Sequence, residues 1–216
     1  MPPQHLAPTT SPSSHAVSPT ATVSHNAGWH RPICDNRSVN ESLGTKELLL
    51  RTFRWTRGHA DFADSLRDPE LLVAVGPALA RPFMAADVTA VVAVEARGFA
   101  LGALVARELG VGLVLARKPG AIHPDSHRLL ADTPDWRGRR VELLISRRAI
   151  RKGDRLLLAD DWIETGSQAR TVAALVASHG ATVVGVSVLV DDTTDEVREQ
   201  LNVIGVLRSS ELPLDN

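Results

Sequence analysis

Short apolar runs recur along the chain with helical spacings between them. DVTAVVAV spans Asp87 to Val94, and a second run spans Val111 to Ala116. Leu156–Ala159, Thr182–Val190 and Val203–Leu207 follow, with Arg140–Ser146 reading as a further strand. Runs that are apolar at successive positions suit strands covered on both faces of a parallel sheet. Ala100–Leu109 has helical spacing before Gly110, a second helix pattern runs from Ser167 to Gly180, and Asp195–Leu201 is a short third helix. Alternating strand and helix with short connections predicts an α/β fold. It is a doubly wound parallel sheet flanked by helices, with its site at the carboxyl ends of the strands.

Ahead of that alternation the pattern is weaker. KELLLRTFRW, from Lys46, places its apolar residues on one helical face, and TRGHADFADSL reads as a loop. Asp68-Pro69 marks a helix start, with Pro at the first helical position. Leu71, Leu72, Val75 and Leu79 continue it, and Gly76-Pro77 is expected to kink or divide it. These pieces form a small N-terminal hood. Residues 119–138 are polar and carry Pro119, Gly120, Pro124, Pro134 and Gly138. A loop of that length in a compact domain is a lid or is disordered.

Residues 1–42 are rich in Pro, Ser, Thr, Ala and His and show no apolar period. Such a segment cannot bury enough surface to offset its ordering entropy, so a disordered tail is expected before a domain over residues 43–216. The tail lacks the basic start and apolar stretch of a secretory signal. His5, His15 and His25 are evenly spaced, but in a biased tail that spacing is expected by chance. The 216 residues carry a net charge of −1, with acids and bases interspersed, so no nucleic-acid surface or membrane segment is expected. Cys34 is the single cysteine, which excludes an intrachain disulfide and fits a cytoplasmic setting.

The chemistry concentrates in RLLLADDWIETGSQARTVAALVASH, Arg155 to His179. A buried strand leads to Asp160-Asp161, then to Thr165-Gly166-Ser167, then to a helix. A loop opening a helix points free N–H groups outward and carries partial positive charge, which suits a phosphate. Two carboxylates upstream can accept from vicinal hydroxyls. Taken singly, Asp-Asp is often a cap or a solvated turn, and Thr-Gly-Ser occurs in many turns. The order of the pieces is far more specific.

That order resembles the phosphoribosyl-diphosphate signature of type I phosphoribosyltransferases. The run from Val91 to Gly120, VVAVEARGFALGALVARELGVGLVLARKPG, resembles the adenine phosphoribosyltransferases of that family. The resemblance implies that Asp160 and Asp161 hold the ribose hydroxyls. Glu164, Thr165, Gly166, Ser167 and Gln168 would form the 5-phosphate loop. Ala96, Arg97 and Gly98 would bind pyrophosphate, with Arg117 and Lys118 completing the cationic site. Arg97 and Lys118 would act on the leaving pyrophosphate, together with Mg²⁺ held through the substrate, with Asp160 and Asp161 as candidate ligands. Residues 119–138 would be a mobile lid. Phe62, in the early loop, would stack on the base. The implied reaction transfers a 5-phosphoribosyl group to a purine, adenine favoured, in a homodimeric cytoplasmic salvage enzyme.

The chain departs from the family in three places. Adenine enzymes commonly read Ala-Thr-Gly-Gly-Thr in the phosphate loop, where this chain has Glu164-Thr165-Gly166-Ser167-Gln168. The lid's Glu-Tyr-Gly, whose Glu acts at the base, has Asp135-Trp136 as its nearest counterpart, which makes Asp135 the catalytic candidate there. The early pocket loop reads Gly58-His59-Ala60-Asp61-Phe62 rather than aromatic-Arg-Asp. Two alternatives follow: a non-catalytic sensor of phosphoribosyl diphosphate or nucleotide, and an enzyme for a non-purine base.

Overall fold

The computed structural model describes residues 44–214 except 57–58, 63, 121–125, 135–137 and 139. The tail expected over residues 1–42 lies outside them. From the start of the described chain come α1 (Thr45–Thr52), β1 (Arg54–Thr56), β2 (His59–Asp61) and α2 (Pro69–Ala80). Next are β3 (Ala90–Val94), α3 (Arg97–Leu109), β4 (Gly112–Ala116), β5 (Ser126–Pro134) and β6 (Arg140–Ser146). The chain ends with β7 (Arg155–Ile163), α4 (Ser167–Ala177), β8 (Thr182–Asp191), α5 (Asp195–Leu201) and β9 (Val203–Arg208).

Five strands form one sheet in the order β4-β3-β7-β8-β9, with every pairing parallel. The apolar runs supply both faces. Val91, Leu157, Ala159 and Leu189 pack with Leu48, Leu71, Val75 and Leu101 of α1, α2 and α3. Val92, Val94, Leu156 and Leu158 pack with Val172, Leu175 and Val176 of α4 on the other face. This is the doubly wound sheet that the alternating pattern predicts.

The hood and lid depart from expectation. The helix from Lys46 stops at Thr52, and Arg54–Thr56 pairs antiparallel with His59–Asp61 instead of continuing it. Phe53 turns extended there, and its ring lies 5.2 Å from those of Trp55 and Phe62, so aromatic packing overrides the helical period. The segment read as a loop therefore holds a hairpin strand. Asp68 caps α2 as expected: its Oδ1 accepts from Glu70 N at 2.9 Å and Leu71 N at 3.1 Å. Gly76-Pro77 does not divide the helix, which runs on to Ala80. The missing Pro77 N–H forfeits one helical hydrogen bond, and α3 packs against the buried Gly76 at Leu104.

Within residues 119–138, Ser126–Pro134 is a strand paired antiparallel with β6, with an irregular register between Leu130 and Pro134. Pairing supplies the backbone hydrogen bonds that a polar composition does not advertise. The signature strand is also longer than its apolar run. β3 pairs with β7 only as far as Ala159, while β8 pairs with it from Asp160 through Ile163. The acidic pair therefore lies on strand, at an edge that β3 leaves uncovered.

Candidate active site

A cavity of about 780 Å³ opens at the carboxyl ends of β3, β4, β7 and β8. One wall comes from Glu95, Ala96 and Arg97, another from Asp160 through Ala169, and a third from Trp55, Ala60 and Phe62 of the hood. The turn from β3 into α3 is tight because Gly98 leaves room for β7. A Cβ on Gly98 would stand 2.9 Å from Asp160 Oδ1 and 3.2 Å from the Ala159 carbonyl oxygen. The Glu95–Ala96 peptide in this turn is cis.

Asp160 and Asp161 differ in environment. Asp161 is buried, and its Oδ2 lies 2.8 Å from Arg97 Nε. That contact is an ion pair off hydrogen-bonding alignment, and among the described residues Oδ2 has no hydrogen-bond donor. The Asp161 N–H donates to Asp160 Oδ1 at 2.9 Å. Burial pushes the Asp160 carboxyl well above the ordinary carboxylate range. The Asp161 charge adds to the push, and Arg97 opposes it. Arg97 also donates from Nη1 to the Ala60 carbonyl oxygen at 3.3 Å, so one guanidinium joins the β3 turn, the acidic pair and the hood.

The loop before α4 has the form its sequence predicts. Gly166 takes φ 74° as the residue before the helix. A side chain there would meet that left-handed conformation and Leu201 Cδ1 at 2.7 Å. The Thr165 and Ser167 hydroxyls are 3.0 Å apart, and Arg170 Nη1 donates to the Thr165 carbonyl oxygen at 2.6 Å. Thr165, Gly166, Ser167, Gln168 and Ala169 all face the cavity, so the first turn of α4 presents its N–H end there. Glu164 is exposed on the same wall.

On the cationic side, Lys118 lines the cavity, and its N–H donates to Glu95 Oε2 at 2.9 Å. Arg117 is placed differently. Its backbone bridges to Leu144, its Cζ sits 5.8 Å from the Phe99 ring centroid, and its buried Nε has no hydrogen-bond partner. It is not among the residues lining the cavity. Phe62 reaches the cavity wall while buried at 2% exposure, with Trp162 6.2 Å away, ring centroid to ring centroid.

Asp135 lies outside the described residues. Sequence reading missed Trp55, Trp162, Glu95 and Asp192, all of which face the cavity. Trp162 directly follows the acidic pair, which was the available signal. Trp55 was assigned to a helix, so its place on a hairpin was hidden.

Acidic pair, guanidinium, lysine and helix-opening loop converge on one cavity, and the family model described as a phosphoribosyl transferase domain matches residues 64–212. The chain belongs to the phosphoribosyl transferase family. An adenine phosphoribosyltransferase of Methylococcus capsulatus is 38% identical over 142 residues, 66% of this chain and 81% of that one. A xanthine phosphoribosyltransferase of Bacillus licheniformis is 29% identical over 140 residues, 64% of this chain and 72% of that one. Among solved structures, adenine phosphoribosyltransferase from Rhodothermus marinus superposes with a TM-score of 0.66 at 30% identity. That match covers 76% of this chain and 98% of that one.

Proposed function

We propose that the protein is a phosphoribosyltransferase enzyme that moves the 5-phosphoribosyl group of phosphoribosyl diphosphate to a purine base, adenine favoured, releasing pyrophosphate. The observation that carries this reading is the meeting of Arg97, Asp160, Asp161 and Lys118 with the Thr165–Ala169 helix opening around one cavity. In this reading the Thr165–Ser167 loop holds the 5-phosphate by backbone N–H groups and the helix dipole. Asp160 and Asp161 accept from the ribose hydroxyls. Arg97 and Lys118 draw charge from the departing pyrophosphate. The base approaches along the wall of Trp55, Phe62 and Trp162. No covalent nucleophile is needed; positioning and charge stabilisation do the work.

The family implies Mg²⁺, and the donor set fits it. Asp160 and Asp161 supply oxygen donors, and Asp161 Oδ2, ion-paired with Arg97, has no hydrogen-bond donor among the described residues. Among the described residues no group of three or more His, Cys, Asp or Glu forms a cage. Mg²⁺ characteristically takes one or two carboxylates and lets substrate phosphates complete its shell. Once bound, it would neutralise charge on the pyrophosphate.

A homodimer in the cytoplasm belongs to the same reading. Exposed Leu72, Val73 and Met84 offer apolar surface for a second copy. No helix among the described residues is long and apolar enough to cross a membrane. The test is to incubate the protein with adenine, phosphoribosyl diphosphate and Mg²⁺ and identify the product by mass. Adenosine monophosphate is expected; its absence while orotate or a non-purine base reacts would overturn the adenine assignment.

A further inference from the structure

Phosphoribosyl binding as described leaves the cavity carboxylate of Asp192 without a task. Asp192 is the first residue after β8 and is half-buried on the cavity wall. Its N–H donates to the Ile163 carbonyl oxygen at 2.9 Å, and its Oδ1 accepts from the Ser209 hydroxyl. The residue before it is clamped. Asp191, 2% exposed, takes Arg198 Nε at 2.6 Å and Arg208 Nη1 at 2.7 Å on Oδ2. Its Oδ1 takes Thr193 N at 2.9 Å and Thr193 Oγ1 at 2.6 Å. Two arginines and a threonine thus fix the turn that carries Asp192, and no described side chain donates to its Oδ2.

We propose that Asp192 is a specificity-determining residue for the nucleobase, accepting from an amino or ring N–H group and selecting bases with a donor edge. The inference rests on the phosphoribosyl-transfer reading. An ionised carboxylate only accepts hydrogen bonds. Set against a phosphate it repels; set against a base carbonyl it leaves both groups unpaired. The phosphates have their own partners in Arg97, Lys118 and the α4 opening. The base is the uncharged reactant, and its stacking wall is close: Trp162 pairs in register with Val190, two residues before Asp192. A site that hydrogen-bonds a substrate N–H strongly rejects an analogue lacking it, because the buried acceptor is then left without a donor. The family comparison shows that both amino and oxo purines are within reach of this scaffold.

The experiment compares kcat/KM for adenine and hypoxanthine at saturating phosphoribosyl diphosphate, in wild type, Asp192→Asn and Ser209→Ala. The asparagine amide can donate to a base carbonyl. Asp192→Asn is expected to lower adenine kcat/KM about tenfold through KM for the base, the loss of about one charge-assisted hydrogen bond. It should also raise hypoxanthine use and leave KM for phosphoribosyl diphosphate unchanged. Ser209→Ala, which frees the carboxylate without removing it, should move the ratio part of the way. An unchanged adenine-to-hypoxanthine ratio in Asp192→Asn, or a rise in KM for phosphoribosyl diphosphate instead, overturns the proposal. Transfer to no base by the wild type would overturn the parent reading as well, and is distinguishable because it needs no variant.

Discussion

Arg97→Ala removes a side chain that joins three parts of the site. It deletes the 2.8 Å ion pair with Asp161 and the 3.3 Å hydrogen bond to the Ala60 carbonyl oxygen. The Asp161 side chain is only 8% exposed, so its Oδ2 would be left with neither cation nor donor where water reaches poorly. A buried acceptor left unpaired costs about 1–3 kcal/mol. The arginine itself is 49% exposed, and solvent screening of that half places the expected loss of stability at about 1–2 kcal/mol. Turnover should fall further. A charge-assisted hydrogen bond to the leaving pyrophosphate contributes about 1.5–3 kcal/mol, which is roughly ten- to a hundredfold in rate. Arg97→Lys separates the two effects. It restores a cation beside Asp161 and so most of the stability, but not the planar fork that two phosphate oxygens need. Urea unfolding reports the first quantity, and pyrophosphate release at saturating phosphoribosyl diphosphate reports the second. Wild-type stability and turnover in Arg97→Ala would refute the argument, and full recovery of turnover by lysine would refute its geometric half.

Three further outcomes are expected. Because the folded Asp160 carboxyl titrates well above its unfolded value, the unfolded chain releases that proton first as pH rises. Stability should therefore fall between the ordinary Asp range and the raised value, and Asp160→Asn should flatten that slope in unfolding curves taken across pH. A slope that persists unchanged in the variant would assign it to other groups. Gly98→Ala sets a methyl 2.9 Å from Asp160 Oδ1, so calorimetry should find phosphoribosyl-diphosphate binding weakened, with stability lower by about 1–3 kcal/mol; wild-type affinity would mean the turn yields freely. Deleting residues 1–40 should leave the thermal midpoint within a degree or two of the full chain, since every described element begins at Thr45 or later; a drop of several degrees would show that the tail packs.

The sheet was legible because its strands are buried on both faces, and such strands announce themselves as unbroken apolar runs. Asp68-Pro69 and Gly110 marked helix ends by backbone chemistry alone. The hairpin of Arg54–Thr56 and His59–Asp61 was not legible, since three-residue strands are too short to show a period. Its cause is tertiary: the rings of Phe53, Trp55 and Phe62 meet there. The residues Arg97, Asp160, Asp161 and Lys118 were legible from ordered motifs, and they do line one cavity. The resemblance pairs Arg117 with Lys118, yet neighbouring residues at a strand end point different ways, and the Arg117 guanidinium lies near the Phe99 ring. Trp162 is marked only by following the acidic pair, and Asp192 carries no motif. What brings them to the cavity is the extension of β7 and β8 beyond β3, visible only once the pairing is known.

The central claim is that these residues transfer a phosphoribosyl group and do not merely hold it. Its most direct test is the rate of pyrophosphate release from phosphoribosyl diphosphate and Mg²⁺, with and without a purine base, in wild type and in Asp160→Asn/Asp161→Asn. Release is expected to depend on the base and to be lost in the double variant. Tight binding of phosphoribosyl diphosphate by the wild type, with no base raising pyrophosphate release above background, would contradict it.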